Sequence, residues 1–511
     1  MPIAYINANI PFTKHNAFIV EDGRFTYVGR KAVALKQPID KVIDLADYTV
    51  LPGFHDSHMH VLGIGKSMAM LDLSTAASHD ALAAQLRESY ANPIVGRGFH
   101  ESQFDEGKSP DKRLLNAVST EVPIALYRVC GHMAIANDAA IKRAQAASSP
   151  PKDGVDIERG IFKEDAVHWL MEGVLKADEA TIEAQILAAQ AHLLAQGVTA
   201  VGSDDFAMYP LPFETILGVF ERLATTGKLK LRVLEQANLP SIESLKRFID
   251  KGHVNREIGR YRLGPLKLLA DGSLGARSAY MREPYADQDT RGIRVFDPET
   301  LRTLITTAND AGMDIAIHAI GDACVDDILD VVESIPWERR RHRRHSIIHA
   351  QLAAPDQIER MVRLNVGAQT QPIFINSDIA VIHDAIGERA HQTYLFKSMA
   401  DAGVRTTIST DAPVESANPF ENLYVATTRR SLKHPERGPF IPEEAFDLKS
   451  AIDAYTRVPA YFSHQEKDLG QIKRGHLADF IIVDNFEDLP RAKVLSTYIE
   501  GERVHHTPKQ D

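Results

Sequence analysis

The 511-residue chain has few cysteines, no long apolar run and no excess of positive charge. Its two cysteines, Cys130 and Cys324, cannot form a disulfide framework. A membrane-spanning helix needs about 18 or more apolar residues in succession, and the sequence contains no such run. The first residues also lack the basic and apolar segments of a signal peptide. The expected location is therefore the cytoplasm.

The charge balance is mildly acidic, with 58 Lys and Arg against 69 Asp and Glu, a net charge of −11. Such a chain is a poor candidate for binding nucleic acid or anionic membranes. The expected partner is a small-molecule substrate, and a homodimer stays open. The length and a hydrophobic content of 44% allow a large core in more than one domain.

Both ends of the chain are rich in β-forming residues. Near the start, two apolar runs flank Asp22-Gly23, a pair typical of a hairpin turn. Near the end, residues 478–484 and 494–499 have the composition of strands. The two ends are therefore predicted to form one small β-sandwich domain, from residues 1–52 and 470–511.

Residues 53–469 alternate between helix and strand patterns. One example is a helix over 180–196, a stop at Gly197 and a short apolar strand over 198–201. Such repetition predicts an α/β fold with a parallel sheet that closes into a (β/α)8 TIM-like barrel. The expected strands end at His60, lie at 198–201, 229–234 and 266–269, end at His318 and His349, and lie at 366–370 and 405–409. The long step from the first to the second strand predicts an insertion at about 66–178.

Polar residues follow several of these predicted strands. His58 and His60 are separated by one residue, so their imidazoles share one face of a strand and could bind one metal. Taken singly, a histidine can be a core residue and Asp411 can be a helix cap. Taken together, they fall where a barrel places its active site. The sequence therefore predicts a metal site from six residues: His58, His60, Lys267, His318, His349 and Asp411.

The chain resembles the metal-dependent amidohydrolase superfamily, and within it the YtcJ-like branch, amidohydrolase family 3. The resemblance covers nearly the whole chain. It rests on Pro52-Gly53-Phe54-His55-Asp56-Ser57-His58-Met59-His60, Lys267-Leu268-Leu269-Ala270-Asp271-Gly272-Ser273-Leu274-Gly275, His318-Ala319-Ile320-Gly321-Asp322, Ile348-His349-Ala350-Gln351, Ser409-Thr410-Asp411-Ala412-Pro413 and Gly475-His476-Leu477-Ala478-Asp479.

The resemblance implies a binuclear centre. His58 and His60 would hold one metal and His318 and His349 the other, with Asp411 as a further ligand. Lys267 would be carboxylated and bridge the two, because a cationic lysine cannot ligate but its carbamate offers two anionic oxygens. The expected cofactor is one or two divalent ions, zinc first, with manganese, iron and cobalt as alternatives.

The predicted function is hydrolysis of a C–N bond in a small molecule, a non-peptide amide, an N-formyl or N-acyl compound or a cyclic amide. Metal-activated water would attack, and Asp411 would act as general base and then acid. Two alternatives stay open. One is a mononuclear deaminase or isomerase on the same fold, against which Lys267 argues. The other is a non-catalytic relative, against which the retained ligand set argues.

Some positions depart from the branch, and these concern specificity. Ile348 replaces a glutamate, Ser409 replaces a glycine, and Phe99 and His100 replace a tryptophan and an aspartate in the insertion. Three further residues are candidates for contacts with substrate: His132, Asp271 and Arg277.

Overall fold

The structure is a computed structural model that describes residues 1–128, 133–175 and 177–508. Its strands are β1 (Ile3–Ile6), β2 (Ala17–Glu21), β3 (Arg24–Gly29), β4 (Lys41–Asp44), β5 (Thr49–Pro52), β6 (Phe54–Met59), β7 (Leu71–Asp72), β8 (Ile94–Phe99), β9 (Ile124–Arg128), β10 (Met133–Ala136), β11 (Val155–Asp156), β12 (Ile161–Lys163), β13 (Val198–Ser203), β14 (Arg232–Asn238), β15 (Glu257–Ile258), β16 (Tyr261–Leu269), β17 (Ile315–Ala319), β18 (Ser346–His349), β19 (Gly367–Thr370), β20 (Thr406–Ile408), β21 (Phe480–Asp484), β22 (Lys493–Ile499) and β23 (Glu502–His506).

The α-helices are α1 (Lys31–Ala34), α2 (Val61–Met68), α3 (His79–Glu88), α4 (Lys112–Val118), α5 (Asp138–Ala147), α6 (Asp165–Val174), α7 (Glu179–Ala195), α8 (Phe213–Thr225), α9 (Ile242–Asp250), α10 (Pro298–Asp310), α11 (Asp322–Ser334), α12 (Trp337–Arg340), α13 (Pro355–Leu364), α14 (Ile375–Asp378), α15 (Ile382–Ile386), α16 (Phe396–Ala402), α17 (Pro419–Thr428), α18 (Leu448–Ala454) and α19 (Arg457–Phe462). None of the helices that the structure describes is long and apolar enough to cross a bilayer.

The chain divides into two compact units. The first unit is Met1–Gly63, Ala189–Ala207 and Leu217–Asp511, and the second is Ile64–Ala188 and Met208–Ile216. The predicted insertion of 66–178 lies within the second unit, which begins two residues earlier, continues ten residues further and adds a short later segment.

A parallel sheet forms the core of the first unit, with the strand order β20-β19-β18-β17-β16-β14-β13-β6. Its first and last strands come together, because the hydroxyls of Ser57 and Thr407 lie 2.6 Å apart and the Asp411 N–H donates to the carbonyl of His58 at 2.9 Å. The eight strands therefore make a nearly closed barrel with helices, which confirms the predicted (β/α)8 fold.

Local sequence signals set the ends of the barrel helices. Pro355 occupies the first position of α13, where a missing N–H costs nothing. Asn365 then ends the helix in the left-handed conformation, with φ at 56°. In α10, the Asp297 side chain accepts hydrogen bonds from the N–H groups of Glu299 and Thr300, as an N-cap does.

The third barrel strand lies later than the sequence indicates. The prediction placed it at 229–234, whereas β14 is Arg232–Asn238. Lys230 and Leu231 instead donate their N–H groups to the Gln190 side chain, in a connection. The prediction therefore shares residues 232–234 with β14, but it begins three residues early, in this connection, and omits residues 235–238.

The two ends of the chain share one small β domain, as predicted. Strand β5 pairs with β21, with Leu51 opposite Ile481, in a sheet ordered β23-β22-β21-β5. A second sheet is ordered β3-β2-β1-β4. Aromatic rings from both sheets pack in one cluster, in which Tyr5 stacks on Phe18 and meets the edge of Phe480.

The second unit contains a six-stranded sheet with the order β11-β12-β10-β9-β8-β7. Alternate residues of its strands face opposite sides. Ala125 belongs to a core with Trp169 of α6, whereas Leu126 belongs to another core with Leu82 of α3. Helices therefore cover both faces of this sheet.

Candidate metal centre

The six predicted ligands lie at the carboxyl ends of barrel strands. His58 is in β6, and His60 is the first residue beyond it. In the neighbouring strands, Leu269, two residues after Lys267, pairs in register with His318, and Ala319 pairs with His349. The remaining ligands lie in or after four other strands: Lys267 in β16, His318 in β17, His349 at the end of β18 and Asp411 after β20.

Asp411 joins the first and last strands of the barrel. Its Oδ1 lies 3.1 Å from Nε2 of His60 and 3.2 Å from Nε2 of His58. One side-chain ligand atom from each of His58, His349 and Asp411 lies within 4.8 Å of the others. Two imidazoles and a carboxylate at this spacing form a donor set suited to a transition metal or zinc.

A buried carboxylate holds the Asp411 loop against β6. Asp56 is fully buried and accepts hydrogen bonds from the Thr410 N–H at 3.0 Å, the Thr410 hydroxyl at 2.8 Å and the Tyr455 hydroxyl at 2.6 Å. Burial raises the pKa of Asp56 to about 7 against these hydrogen bonds. Asp411 itself has φ at 56°, a left-handed conformation that aspartate tolerates better than most residues.

Each of the four histidines directs one ring nitrogen to a carbonyl oxygen. This contact leaves the other ring nitrogen for a metal, as in most metal-binding histidines. At His60 a metal would displace a proton, because Asp411 outweighs burial and raises the pKa of His60 to about 9. The pairs are His58 Nδ1 with Gln236 Oε1 at 2.6 Å, His60 Nδ1 with the Asp204 carbonyl at 2.6 Å, His318 Nε2 with the Gly272 carbonyl at 3.1 Å, and His349 Nδ1 with Gln371 Oε1 at 2.7 Å.

Burial and neighbouring charge set the protonation of these groups. Burial, helped by Lys267, lowers the pKa of His58 to about 4, and burial also lowers the pKa of His349 well below its usual range. Both are therefore neutral and able to ligate. Burial opposes the charge of Asp411, but its contacts with the imidazoles of His58 and His60 outweigh burial and hold the pKa of Asp411 far below its ordinary value.

Lys267 reaches the same group of side chains. It is 2% exposed, and its Nζ lies 3.5 Å from Nε2 of His58 and 3.7 Å from Oδ2 of Asp204. Burial lowers the pKa of Lys267, although Asp204 and Asp411 act in the opposite direction. Leu266 and Leu268 on either side of it are fully buried, whereas Leu269 is 45% exposed. The strand therefore becomes accessible two residues after Lys267.

Two of the three predicted substrate contacts have protein partners. Asp271 is buried, and its carboxylate accepts hydrogen bonds from the N–H groups of Tyr280, Ile320 and Gly321 at 2.8–3.1 Å. Arg277 donates through Nε and Nη2 to Asp287, and these two contacts occupy one edge of its guanidinium. His132 lies outside the described residues.

Two departures from the branch lie in the core. Phe99 is fully buried with Leu82 and Leu126 in the second unit. Ile348 is fully buried in β18, next to His349. Arg128, in the insertion, donates to the Glu101 carboxylate at 3.0 Å.

Several side chains near the histidines escaped sequence analysis. Gln236 and Asn238 are in β14, Gln369 is in β19 and Gln371 follows it. Asn238 donates to both carboxylate oxygens of Asp204 at 3.2 Å. Polar residues at the ends of buried strands are a sequence feature that could have identified them. Amides are not typical metal ligands, however, so a search for ligands does not select them.

A (β/α)8 barrel with four imidazoles and a carboxylate at its carboxyl edge has the architecture of a metal-dependent hydrolase. The sequence profile of the amidohydrolase family matches residues 41–505, and the chain belongs to that family. The members of this family are metal-dependent.

Relatives of full length support this placement. The amidohydrolase YtcJ of Bacillus subtilis (strain 168) is 30% identical, with 96% of each chain covered. A crystal structure of an uncharacterized metal-dependent hydrolase from Pyrococcus furiosus is 31% identical, has a TM-score of 0.83 and covers 95% of this chain and 99% of its own. An N-substituted formamide deformylase of Arthrobacter pascens is 25% identical, with 95% and 94% covered.

Proposed function

We propose that this hydrolase cleaves a C–N bond in a small molecule, a non-peptide amide, an N-formyl or N-acyl compound or a cyclic amide. The observation that carries the proposal is the position of Asp411. Its carboxylate is held between the two histidines of the first strand, at the edge of the barrel where substrates bind. The name of the formamide deformylase relative supports the choice of bond.

The proposed metal ligands are His58, His60, carboxylated Lys267, His318, His349 and Asp411. The donor set fits, because each carbonyl oxygen engages one ring nitrogen and leaves the other nitrogen of the imidazole for a metal, which at His60 would displace a proton. A bound divalent ion, zinc in the first instance, would supply the Lewis acidity that lowers the pKa of water and polarises a carbonyl group.

Asp411 is the proposed general base and acid. Its low pKa keeps the carboxylate ionised near neutral pH, so that it can accept a proton from the attacking water. The same oxygen can then return the proton to the leaving nitrogen, which would otherwise depart as an unstable anion. Asp56 and Thr410 hold the loop in the conformation that this transfer requires.

The environment of Lys267 supports carboxylation. The reaction needs a neutral amine, and burial favours that form by lowering the pKa of Lys267. Four neutral imidazoles would not offset the positive charge of a metal pair. The carbamate would supply negative charge between the two ions. Nζ lies 3.5 Å from Nε2 of His58, so a group extended from it reaches the same centre.

The alternatives are a mononuclear deaminase or isomerase and a non-catalytic relative. The presence of a buried lysine among the histidines favours the binuclear hydrolase over the first, and the retention of every predicted ligand argues against the second. We further propose a cytoplasmic location and a small-molecule substrate, with neither nucleic acid nor membrane as a partner.

The test is a substrate panel assayed with protein loaded separately with zinc, manganese, iron or cobalt. The panel contains N-formyl amines, N-acyl amines and cyclic amides, together with amino-heterocycles as deaminase substrates. Hydrolysis of an amide that a chelator abolishes and added metal restores is the expected result. Ammonia release from the amino-heterocycles alone would favour the deaminase, and absence of metal binding would refute the proposal.

A further inference from the structure

Three glutamines form a buried chain behind the histidines. Gln236, Gln369 and Gln371 are each at most 3% exposed. Gln236 Nε2 donates to Gln369 Oε1 at 3.1 Å, and Gln371 Nε2 donates to the Gln369 carbonyl at 3.0 Å. The chain therefore connects the partner of His58 to the partner of His349, which belong to different metal positions in the proposed centre.

The hydrogen bonds allow only one orientation of each outer amide. Gln236 Nε2 also donates to the Ser57 carbonyl at 2.9 Å, so a reversed amide would place two oxygens in contact. Gln371 Nε2 likewise faces the Gln369 carbonyl, and it donates to the Ser409 hydroxyl at 2.7 Å. The oxygen of each amide must therefore face the imidazole.

This orientation fixes the tautomers of the two histidines. An amide oxygen only accepts hydrogen bonds, so Nδ1 of His58 and of His349 must carry the proton. Nε2 of each ring is then the deprotonated nitrogen that faces the site. Without the glutamines, each neutral ring could protonate at either nitrogen, and only one of the two tautomers could ligate from Nε2.

We propose that Gln236 and Gln371 are positioning residues that hold His58 and His349 in the metal-binding tautomer, with Gln369 linking them. The inference rests on the proposed metal centre. Loss of the partner behind a metal-binding histidine typically weakens metal binding by about 10–100-fold. Gln236→Met should thus weaken the metal held by His58 and His60, and Gln371→Met the metal held by His318 and His349.

The chain offers a matched control in Gln357. This glutamine is also fully buried and hydrogen-bonded at both ends, to the Asp322 carbonyl and the Ala354 N–H, but it is bonded to no histidine. Gln357→Met removes an equivalent buried amide. A general loss of stability should therefore affect all three variants, whereas a loss of metal affinity should affect only two.

The experiment measures zinc dissociation constants by competition with a fluorescent chelator, with zinc content by elemental analysis and melting temperature in parallel. We expect about 10–100-fold weaker binding of one zinc equivalent in Gln236→Met and Gln371→Met, and wild-type binding in Gln357→Met. Equal affinity in all four proteins would overturn the positioning role alone. If the wild type binds no metal, the proposed function itself fails.

A second substitution covers the case in which methionine prevents folding. Gln371→Glu keeps an acceptor for Nδ1 of His349, and its second oxygen, when protonated, donates to the Gln369 carbonyl as the amide does. Zinc affinity close to that of wild type is the expected result for this variant. Weaker zinc binding in Gln371→Glu would contradict the role assigned to the oxygen.

Discussion

At the scale of single residues, the candidate centre depends on groups whose charge differs from that of the free amino acid. Asp411 stays ionised although it is buried, because two imidazoles contact it. Lys267 is driven toward the neutral amine by the same burial. The same site thus favours the ionised form of Asp411 and the uncharged form of Lys267, which are the forms that the proposed chemistry requires.

Replacing Asp411 with asparagine should remove turnover while leaving metal in place. Asparagine keeps the shape of the side chain but cannot accept a proton, and loss of a general acid or base costs about 10²–10⁴-fold in kcat. Steady-state kinetics on a substrate from the panel, with metal analysis, would measure both effects. Asp314→Asn is the control, since that buried aspartate pairs with His464. A near-normal kcat in Asp411→Asn would exclude the proposed role.

Replacing Lys267 with alanine should lower metal content and activity together, because the bridging carbamate is lost. Formate or acetate in solution should restore part of both by occupying the vacated space. Elemental analysis and rate measurements across a carboxylate series would record this. Lys230→Ala, which removes a surface pair with Glu502, should change neither. Two tightly bound metals in Lys267→Ala would disprove the bridge.

At the scale of elements, one short basic segment supports several helices. The net charge of −11 conceals five arginines within residues 339–344. Arg340 donates to the carbonyls of Ile335 and Leu364, at the carboxyl ends of α11 and α13. Arg343 donates to Gly312 beyond α10, and Arg344 donates to Tyr461 in α19. Cations are favourable at such helix ends, where carbonyls lack partners.

Arg340→Met should therefore destabilise the first unit by about 1–3 kcal/mol, the usual cost of leaving buried acceptors without a donor. Urea denaturation followed by circular dichroism would measure the change in free energy of unfolding. The adjacent Arg341 is exposed, and Arg341→Met should alter stability by less than about 0.5 kcal/mol. Equal losses in the two variants would show that net charge, rather than helix capping, is responsible.

Element boundaries were predictable where turn chemistry was strong and less so where polar residues point into the barrel. The helix predicted over 180–196 was placed within one residue, as α7 (Glu179–Ala195), because Gly197 marks its end. Strand β14 was misplaced because its second half carries Glu235, Gln236 and Asn238, which an apolar pattern excludes. The clustering of His58, His349 and Asp411 followed from a topological rule. The hydrogen-bond partners of those residues depend on side-chain directions that no sequence pattern encodes.

At the scale of the whole molecule, buried neutral histidines make the fold sensitive to acid. Burial, with Arg232 nearby, lowers the pKa of His55 to about 3, and burial lowers the pKa of His345 to about 4. An unfolded histidine has a pKa near 6.5, so the unfolded chain binds more protons below that pH. These residues therefore add no instability at neutral pH, and they progressively destabilise the fold as the pH falls from about 6.5 toward 4.

Each of these histidines should cost about 1.4 kcal/mol per pH unit over that interval. Unfolding midpoints measured between pH 7 and 4 should therefore decline, and His55→Phe should make the decline shallower. His342→Gln, at an exposed position, serves as the control. An unchanged slope in His55→Phe would show that other groups govern the acid response.

The closure of the barrel affects how the chain can fold while it is being synthesised. His60 and Asp411 make their 3.1 Å contact across 351 positions of sequence, and Asp56 meets Thr410 across 354. Contacts this distant in sequence form late and slowly. During most of translation, one edge of the first barrel strand, which contains His58 and leads to His60, therefore has no partner strand. A product that terminates before residue 411 would contain both histidines and still lack the metal centre. Chaperones and proteases would then encounter a protein with an exposed, unpaired sheet edge, rather than a folded enzyme of reduced activity.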